Sequence, residues 1–310
     1  MTWSLLFHAL EQGFVFSIMA LGVYITFQVL KFPDLTVDGS FPLGAAIAAR
    51  IIFAGGNPFL AIMWAMVGGI LAGGLTAFFH TRLKFTNLLS SILTMTLLYS
   101  VNLRVMGKSN IPLLGKVSIF DIAKSWFPQF SLDQLTPFIF LIVVLLIKLL
   151  LDFFLDTEIG MAIRATGDNE QMIQSLGVDI RQTKVMGLCL SNALVALSGS
   201  LFAQYSGFAD VGMGIGTMVA GLASVIIGRS IIGDKGSNSW ITFGVIIGSI
   251  IYRITVMLAL RYGYRLGFQP GDLKLISVIL VVIALTIPFS RGKIKAIVAS
   301  NGSSGNNKSN

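Results

Sequence analysis

Charge is the first thing this chain lacks. Asp, Glu, Lys and Arg make up only 12% of its 310 residues, about half the ~25% usual in soluble domains. Cysteine is nearly absent too: Cys189 stands alone, which excludes a disulfide scaffold. Inside the run MGLCLSNALVAL it reads as a small buried hydrophobe. The two histidines, His8 and His80, lie far apart. No metal cluster and no nucleophile–base pair can be assembled from this set, so no catalytic or metal-binding residue is assigned. Nucleotide loops are missing as well. Asn102 stands where the stretch NLRVMGKS would need the first glycine of a phosphate-binding loop, and Gly212-Met213-Gly214-Ile215-Gly216 lacks the dinucleotide spacing. The chain itself is therefore not expected to hydrolyse ATP.

What is present is lipid-compatible sequence. Apolar residues make up 55% of the chain, and the mean hydropathy is +0.83. They fall in nine runs, about 13–30, 36–54, 57–80, 86–106, 135–155, 184–206, 213–232, 239–260 and 272–290. A span needs about 20 such residues, and backbone groups in lipid must satisfy one another within a helix. The chain reads as an all-α, polytopic transmembrane bundle of about 8–10 spans. The second and seventh runs are short and glycine-rich, as in interrupted helices. No basic head and cleavage site mark a signal peptide, so the first run, which carries Glu11, is expected to remain as a span.

The net charge of +8 sits at the ends of the runs, a membrane pattern rather than a nucleic-acid face. Arg82, Lys84, Arg164, Arg181, Lys184 and the cluster Arg291, Lys293 and Lys295 fall on one side when the spans alternate. That side is read as cytoplasmic, with the N-terminus outside and the C-terminus inside. Residues 1–295 are taken as one membrane domain, and the polar tail 296–310 as a disordered cytoplasmic extension.

Two segments echo one another. Phe32-Pro33-Asp34-Leu35 follows one span and opens a glycine-containing one; Phe208-Ala209-Asp210-Val211 does the same later. Gln28 and Gln204 precede them at matching distances. The two units enter from opposite faces, as an inverted repeat does, and such repeats often place a transport path between broken helices.

The polar stretch 156–183 is long for a connector. Asp168 with Gln171 three residues on suggests a capping box, and Gly177 suggests a helix stop. Met172, Ile173 and Leu176 share one helical face between them. A short helix with such a face is expected to dock on a partner, or else to lie on the headgroups.

The run from Thr157 to Gly177, the stretch LCLSNAL at 188–194 and Gly221-Leu222-Ala223-Ser224-Val225-Ile226-Ile227-Gly228 resemble the inner-membrane permeases of ABC importers in the branched-chain amino acid and ribose permease family. The likeness is greatest to a bacterial subgroup linked to tryptophan and other aromatic amino acids, and it spans nearly all of residues 13–290. The resemblance implies a type II-like permease that acts as a dimer of membrane subunits. It further implies a cytoplasmic ABC ATPase that carries the ATP and Mg, an extracytoplasmic solute-binding protein or lipoprotein, and no cofactor on this chain. On the family pattern, Gly160, Arg164, Ala165, Gly167, Asp168 and Gly177 belong to the coupling loop, with Gln171, Met172, Ile173 and Leu176 on its docking helix. Pro33–Ser40 matches a segment of the sugar relatives, with Asp38 where they have glycine.

Asp34, Thr36, Asp38, Ser40, Asn192, Gln204 and Asp210 are the candidates for lining the path. A charge at the bilayer centre costs roughly 2.5–3.5 kcal/mol on insertion scales, so each carboxylate must cap a helix, pair, or face a cavity. Asn192 and Gln204 either bond a solute or tie helices together. Arg253, deep in its run, is expected to pair with a carboxylate, and Arg50 and Arg104 to snorkel. Gly69/Gly73 and Gly244/Gly248 permit close helix approach, within one chain or between two. On that resemblance the chain is expected to form the path for a small solute, an amino acid with a nucleoside or sugar as the alternative. A stand-alone ion-driven transporter or channel is the rival reading.

Overall fold

The structure, a computed structural model, describes residues 2–129, 132–233 and 237–263 and the single positions 275, 278, 279 and 282. Apart from those four positions, the ninth run, the basic cluster at 291–295 and the tail 296–310 lie outside the described residues.

Helix α1 (Thr2–Val23) starts earlier than its apolar run and continues as a π-helical turn, Tyr24–Val29. There follow α2 (Val37–Phe53), α3 (Pro58–Thr81), α4 (Asn87–Met106), α5 (Ile119–Trp126), α6 (Leu132–Leu155), α7 (Glu158–Asp168), α8 (Glu170–Ser175), α9 (Ile180–Ser206), α10 (Thr217–Ile232) and α11 (Asn238–Gly263). Seven of the described helical segments are long and apolar enough to cross a membrane. With the shorter α2 they account for eight of the nine runs. At 17 residues and 1.5 Å per residue, α2 reaches about 25 Å, less than the ~30 Å hydrocarbon layer.

Two features were not foreseen. The connector after α4 holds α5, which opens on a capping box between Ser118 and Asp121. Asn110–Pro112 (β1) also pairs antiparallel with Phe208–Asp210 (β2), with Asn110 opposite Asp210.

The first and fifth of the seven spans, Phe7–Val29 and α9, lie centrally: 78% and 72% of their apolar windows are buried, against 33% and 28% in α3 and α4. The reason is visible in their side chains. α9 carries Ser191, Ser198, Ser200, Gly187 and Gly199 among its buried positions, small groups that let neighbours approach closely. Ser191 and Ser198 donate to the carbonyls of Gly22 and Val15 on α1, both at 2.7 Å. A Cβ on Gly69 or Gly73 would lie 2.3 or 2.2 Å from the α9 carbonyls of Asn192 and Leu188. A Cβ on Gly248 would lie 2.1 Å from the carbonyl of Ser224 on α10. Both small-residue faces are therefore consumed within the chain. Arg50 and Arg104 are exposed near helix ends.

Buried charge is mostly neutralised in place. Lys148 and Asp152, one turn apart on α6, pair at 2.5 Å. They also hold Ser239 at 2.6 Å from Lys148 and Thr242 at 2.6 Å from Asp152, joining α6 to α11. Glu11 is 2% exposed and accepts from the Tyr205 hydroxyl at 2.8 Å.

Candidate functional site

The chain breaks twice, and each break is built the same way. At the first, Lys31 takes the left-handed conformation (φ 52°) and Phe32–Thr36 runs without helix. Asp34 then accepts from the backbone N–H of Thr36 at 2.9 Å. At the second, Asp210 accepts from the N–H of Gly212 at 2.7 Å and opens a 3-10 turn, Val211–Gly214, ahead of α10. An aspartate bonding two residues on is the favoured local device for turning a chain into a helix.

The helices that follow point to opposite faces. α2 ends at Phe53, whose ring lies under Lys108 and Lys116. α10 ends beside the π turn of α1, where Arg229 bonds to Gln28. Their beginnings meet, and the tie is Asp38 in the first turn of α2. Its carboxylate accepts from the N–H groups of Gly216 at 3.1 Å and Met218 at 2.7 Å, and from the Thr217 hydroxyl at 3.0 Å. Asp38 thus caps α10 from another helix and neutralises the positive end of its dipole. Pro42 removes the N–H that would bond the Asp38 carbonyl. Gly214 fits against that same carbonyl, 2.0 Å from where its Cβ would stand, so only glycine is accommodated.

Asp34 faces inward from this junction. It is 2% exposed and accepts from the Asn192 amide at 2.9 Å; the Asn192 oxygen in turn accepts from Ser40 at 2.6 Å. Thr36 shares a 2.7 Å bond with Thr76 on α3. Asn192 is a dozen residues into α9, roughly 18 Å from its start, so the network sits deep in the bundle. Five of the seven candidate path residues are gathered here, four of them in a chain of buried hydrogen bonds and Asp38 beside them. The other two are elsewhere. Gln204 lies in the last turn of α9, where its oxygen accepts from the N–H of Ile119 at 3.0 Å. Asp210 sits at the β-ribbon, 3.4 Å from the Asn110 amide.

A second cluster forms at the opposite end. Thr157 caps α7, accepting from Gly160 N–H at 3.3 Å, and Arg164 donates to the terminal carbonyl of α6, Leu155, at 2.8 Å. A Cβ on Gly160 would stand 2.2 Å from the carbonyl of Phe154. A Cβ on Gly167 would stand 1.9 Å from the carbonyl of Val29, the last residue of the π turn. Asp168 pairs with Lys31 at 2.9 Å, and Lys184 with Glu170 at 2.8 Å. The elbow formed by α7 and α8 is thus seated on the end of α1, three residues ahead of Asp34.

Three expectations are corrected here. Asp168 does not cap a box with Gln171: it ends α7, and Asn169 caps α8 by accepting from Met172 N–H at 3.0 Å. Ile173 is turned inward at 8% exposure, whereas Met172 and Leu176 stand out at 59% and 66%. Arg253 has no carboxylate partner among the described residues; its guanidinium lies 3.3 Å from the centre of the Phe16 ring. Gly177 ends α8 with φ 85°, as its position suggested. Ala165 lends its carbonyl to the Asn169 N–H at 3.0 Å, and Gln171 is exposed. The sequence reading overlooked the Lys148–Asp152 pair, although a Lys and an Asp four apart in an apolar helix are its signal. It could not foresee Lys31–Asp168.

A bundle of spanning helices broken at two aspartate turns, with a two-helix elbow at one end, has the build of a multi-pass membrane permease. The chain belongs to the family described as the branched-chain amino acid transport system / permease component, whose profile matches residues 5–286. It is 44% identical over 277 residues to a tyrosine transport system permease protein of Clostridioides difficile, covering 89% of this chain and 88% of that one. It is 27% identical to the ribose import permease RbsC of Haemophilus influenzae, over 78% of this chain and 73% of the relative. Among solved structures, PsaBC from Streptococcus pneumoniae in complex with Fab superposes with a TM-score of 0.51 at 17% identity, covering 89% of each chain. That likeness supports the fold.

Proposed function

We propose that this chain is the membrane subunit of an ATP-driven amino-acid importer, with an aromatic amino acid such as tyrosine as its solute. It opens the path but hydrolyses nothing. ATP and Mg belong to a separate cytoplasmic ABC ATPase, and an extracytoplasmic binding protein or lipoprotein delivers the solute to a pair of permease copies. The α7–α8 elbow then faces the cytoplasm and the N-terminus lies outside, in keeping with Lys31, Arg82, Lys84 and Arg181 around the elbow.

The observation that carries this reading is a pair of exposed apolar side chains, Met172 on a six-residue helix and Leu176 at its C-cap, the helix itself being pinned to the bundle. A helix lying loosely on headgroups needs no such anchoring. A lever does. Gly167 and the Lys31–Asp168 pair join the elbow to the end of α1, and the next residues are the Phe32–Thr36 break. Movement of the ATPase under α8 would reach Asp34 and Asp38 through a rigid connection and re-space α2 from α10, the step of alternating access.

The test is a Leu176→Cys variant in a Cys189→Ser background, purified with the ATPase expressed beside it. Cross-linking between position 176 and the ATPase is expected, with a yield that changes on adding ATP. A permease that purifies alone and transports without nucleotide would contradict the reading and favour a stand-alone transporter.

A further inference from the structure

Arg253 is the anomaly of the bundle. It lies on α11 about ten residues from the helix end away from the elbow, roughly 15 Å in. Lys148, Asp152 and Glu11 all find partners in the bundle; among the described residues Arg253 finds only the face of Phe16, with its Nε buried and unbonded. An ionisable group in a span without a counter-charge marks a functional site. Arg253 lines a cavity of ≈ 300 Å³ with Phe16, Phe202, Tyr252, Gly216 and Thr217, a size at the low end of small-molecule sites. One edge of the cavity is the start of α10, but Asp38 already occupies the N–H groups of Gly216 and Met218 and the Thr217 hydroxyl. The start of α10 is therefore already capped, and Arg253 is the positive group of the cavity without a carboxylate partner among the described residues.

We propose that this cavity is a carboxylate station on the translocation path: Arg253 holds the carboxylate of the solute while Phe16, Phe202 and Tyr252 take its aromatic or apolar side chain. Phe16 covers one face of the guanidinium, which leaves its two terminal Nη groups to bond both oxygens of a carboxylate end-on. Ring faces and edges in the same cavity suit an aromatic side chain. The station lies against the Asp38–α10 junction, so a change in the spacing of α2 and α10 would open or close it. The proposal rests on the amino-acid reading above for the solute, but the site itself is defined by the carboxylate.

The experiment has two arms. In nanodiscs holding the permease alone, saturation-transfer NMR is recorded with 4-hydroxyphenylacetate, which keeps the ring and carboxylate, and with tyramine, which keeps the ring and amine. Wild type is expected to give signal for the first at least tenfold above the second, lost in Arg253→Gln and largely retained in Arg253→Lys. Equal signals for both probes, or an unchanged signal in Arg253→Gln, would overturn the proposal. In proteoliposomes with the ATPase and binding protein, Arg253→Gln is expected to lower L-tyrosine uptake at least tenfold, and Arg253→Lys to recover most of it. Wild-type uptake by Arg253→Gln would overturn the station while leaving the importer intact. Carboxylate-selective binding without any tyrosine uptake by the wild-type complex would support the station and overturn the amino-acid reading.

Discussion

The two helix breaks share one local design and differ in what surrounds them. Asp34 and Asp210 each accept from the N–H two residues on, at 2.9 and 2.7 Å. Around Asp34 the chain is sealed: Asn192, Ser40, Thr36 and Thr76 form a buried hydrogen-bonded set, and the strand of residues leading to it is held by the elbow. Around Asp210 the backbone is packed, with Ala209 and Val211 buried, but the carboxylate is partly open. Phe208 is 40% exposed, and among the described residues the Asp210 carboxylate accepts from Gly212 and, at 3.4 Å, from Asn110 alone. One turn chemistry thus serves two jobs. On the proposed function, the sealed break would receive force from the elbow, whereas the open one sits at the far face, where α10 would shift against α2. Asp38 is the link between them.

This difference can be broken at graded cost. The largest effect is expected from Gly167→Val, which places a branched side chain where the Val29 carbonyl stands. Overpacking of this kind costs about 3 kcal/mol, and ATP-driven uptake should fall at least tenfold in proteoliposomes while the ATPase still binds. Asp38→Ala comes next. It strips three hydrogen bonds from the start of α10, a loss of about 2–3 kcal/mol that a thermal melt of the purified permease should register as a fall of several degrees.

The sharper test of the comparison is Asp34→Ala against Asp210→Ala. The first takes the acceptor from the buried Thr36 N–H and leaves the Asn192 amide only the Leu188 carbonyl, at about 1–3 kcal/mol; the second removes a half-exposed turn cap at about 1 kcal/mol or less. Equal melting shifts would contradict the sealed-versus-open distinction. The smallest effect belongs to Lys31→Ala. Its side chain and that of Asp168 are 58% and 78% exposed, so the pair contributes under about 0.5 kcal/mol. Stability should barely change, with any effect confined to low salt.

The sequence disclosed the spans because apolar length is a local property, and eight of nine runs became described helices. The echo of Phe32–Leu35 in Phe208–Val211 was equally legible, since an Asx turn depends on residues two apart. Contacts between distant segments were not. Asp168 looked like a cap because it precedes Gln171 by three, yet Asn169, one residue on, is equally suited and its register wins, leaving Asp168 for a lysine 137 residues away. Ile173 shares a helical face with Met172 and Leu176 in the sequence, but a six-residue helix packed on the bundle must bury one side, and Ile173 is on it. Arg253 was expected to find a carboxylate from general cost alone. Its actual neighbour is an aromatic ring from α1, a choice made by how α1 and α11 cross.

On the proposed function, two exposed apolar side chains joined to a buried aspartate turn would make this bundle a driven permease rather than a passive one. The most direct measurement is L-tyrosine uptake by proteoliposomes containing permease, ATPase and binding protein, compared with the same preparation carrying Met172→Glu and Leu176→Glu. Uptake that requires ATP and is abolished by the double substitution, with both permeases equally inserted, is the predicted result. Uptake that continues without nucleotide, or proceeds at the same rate with both glutamates in place, would contradict it.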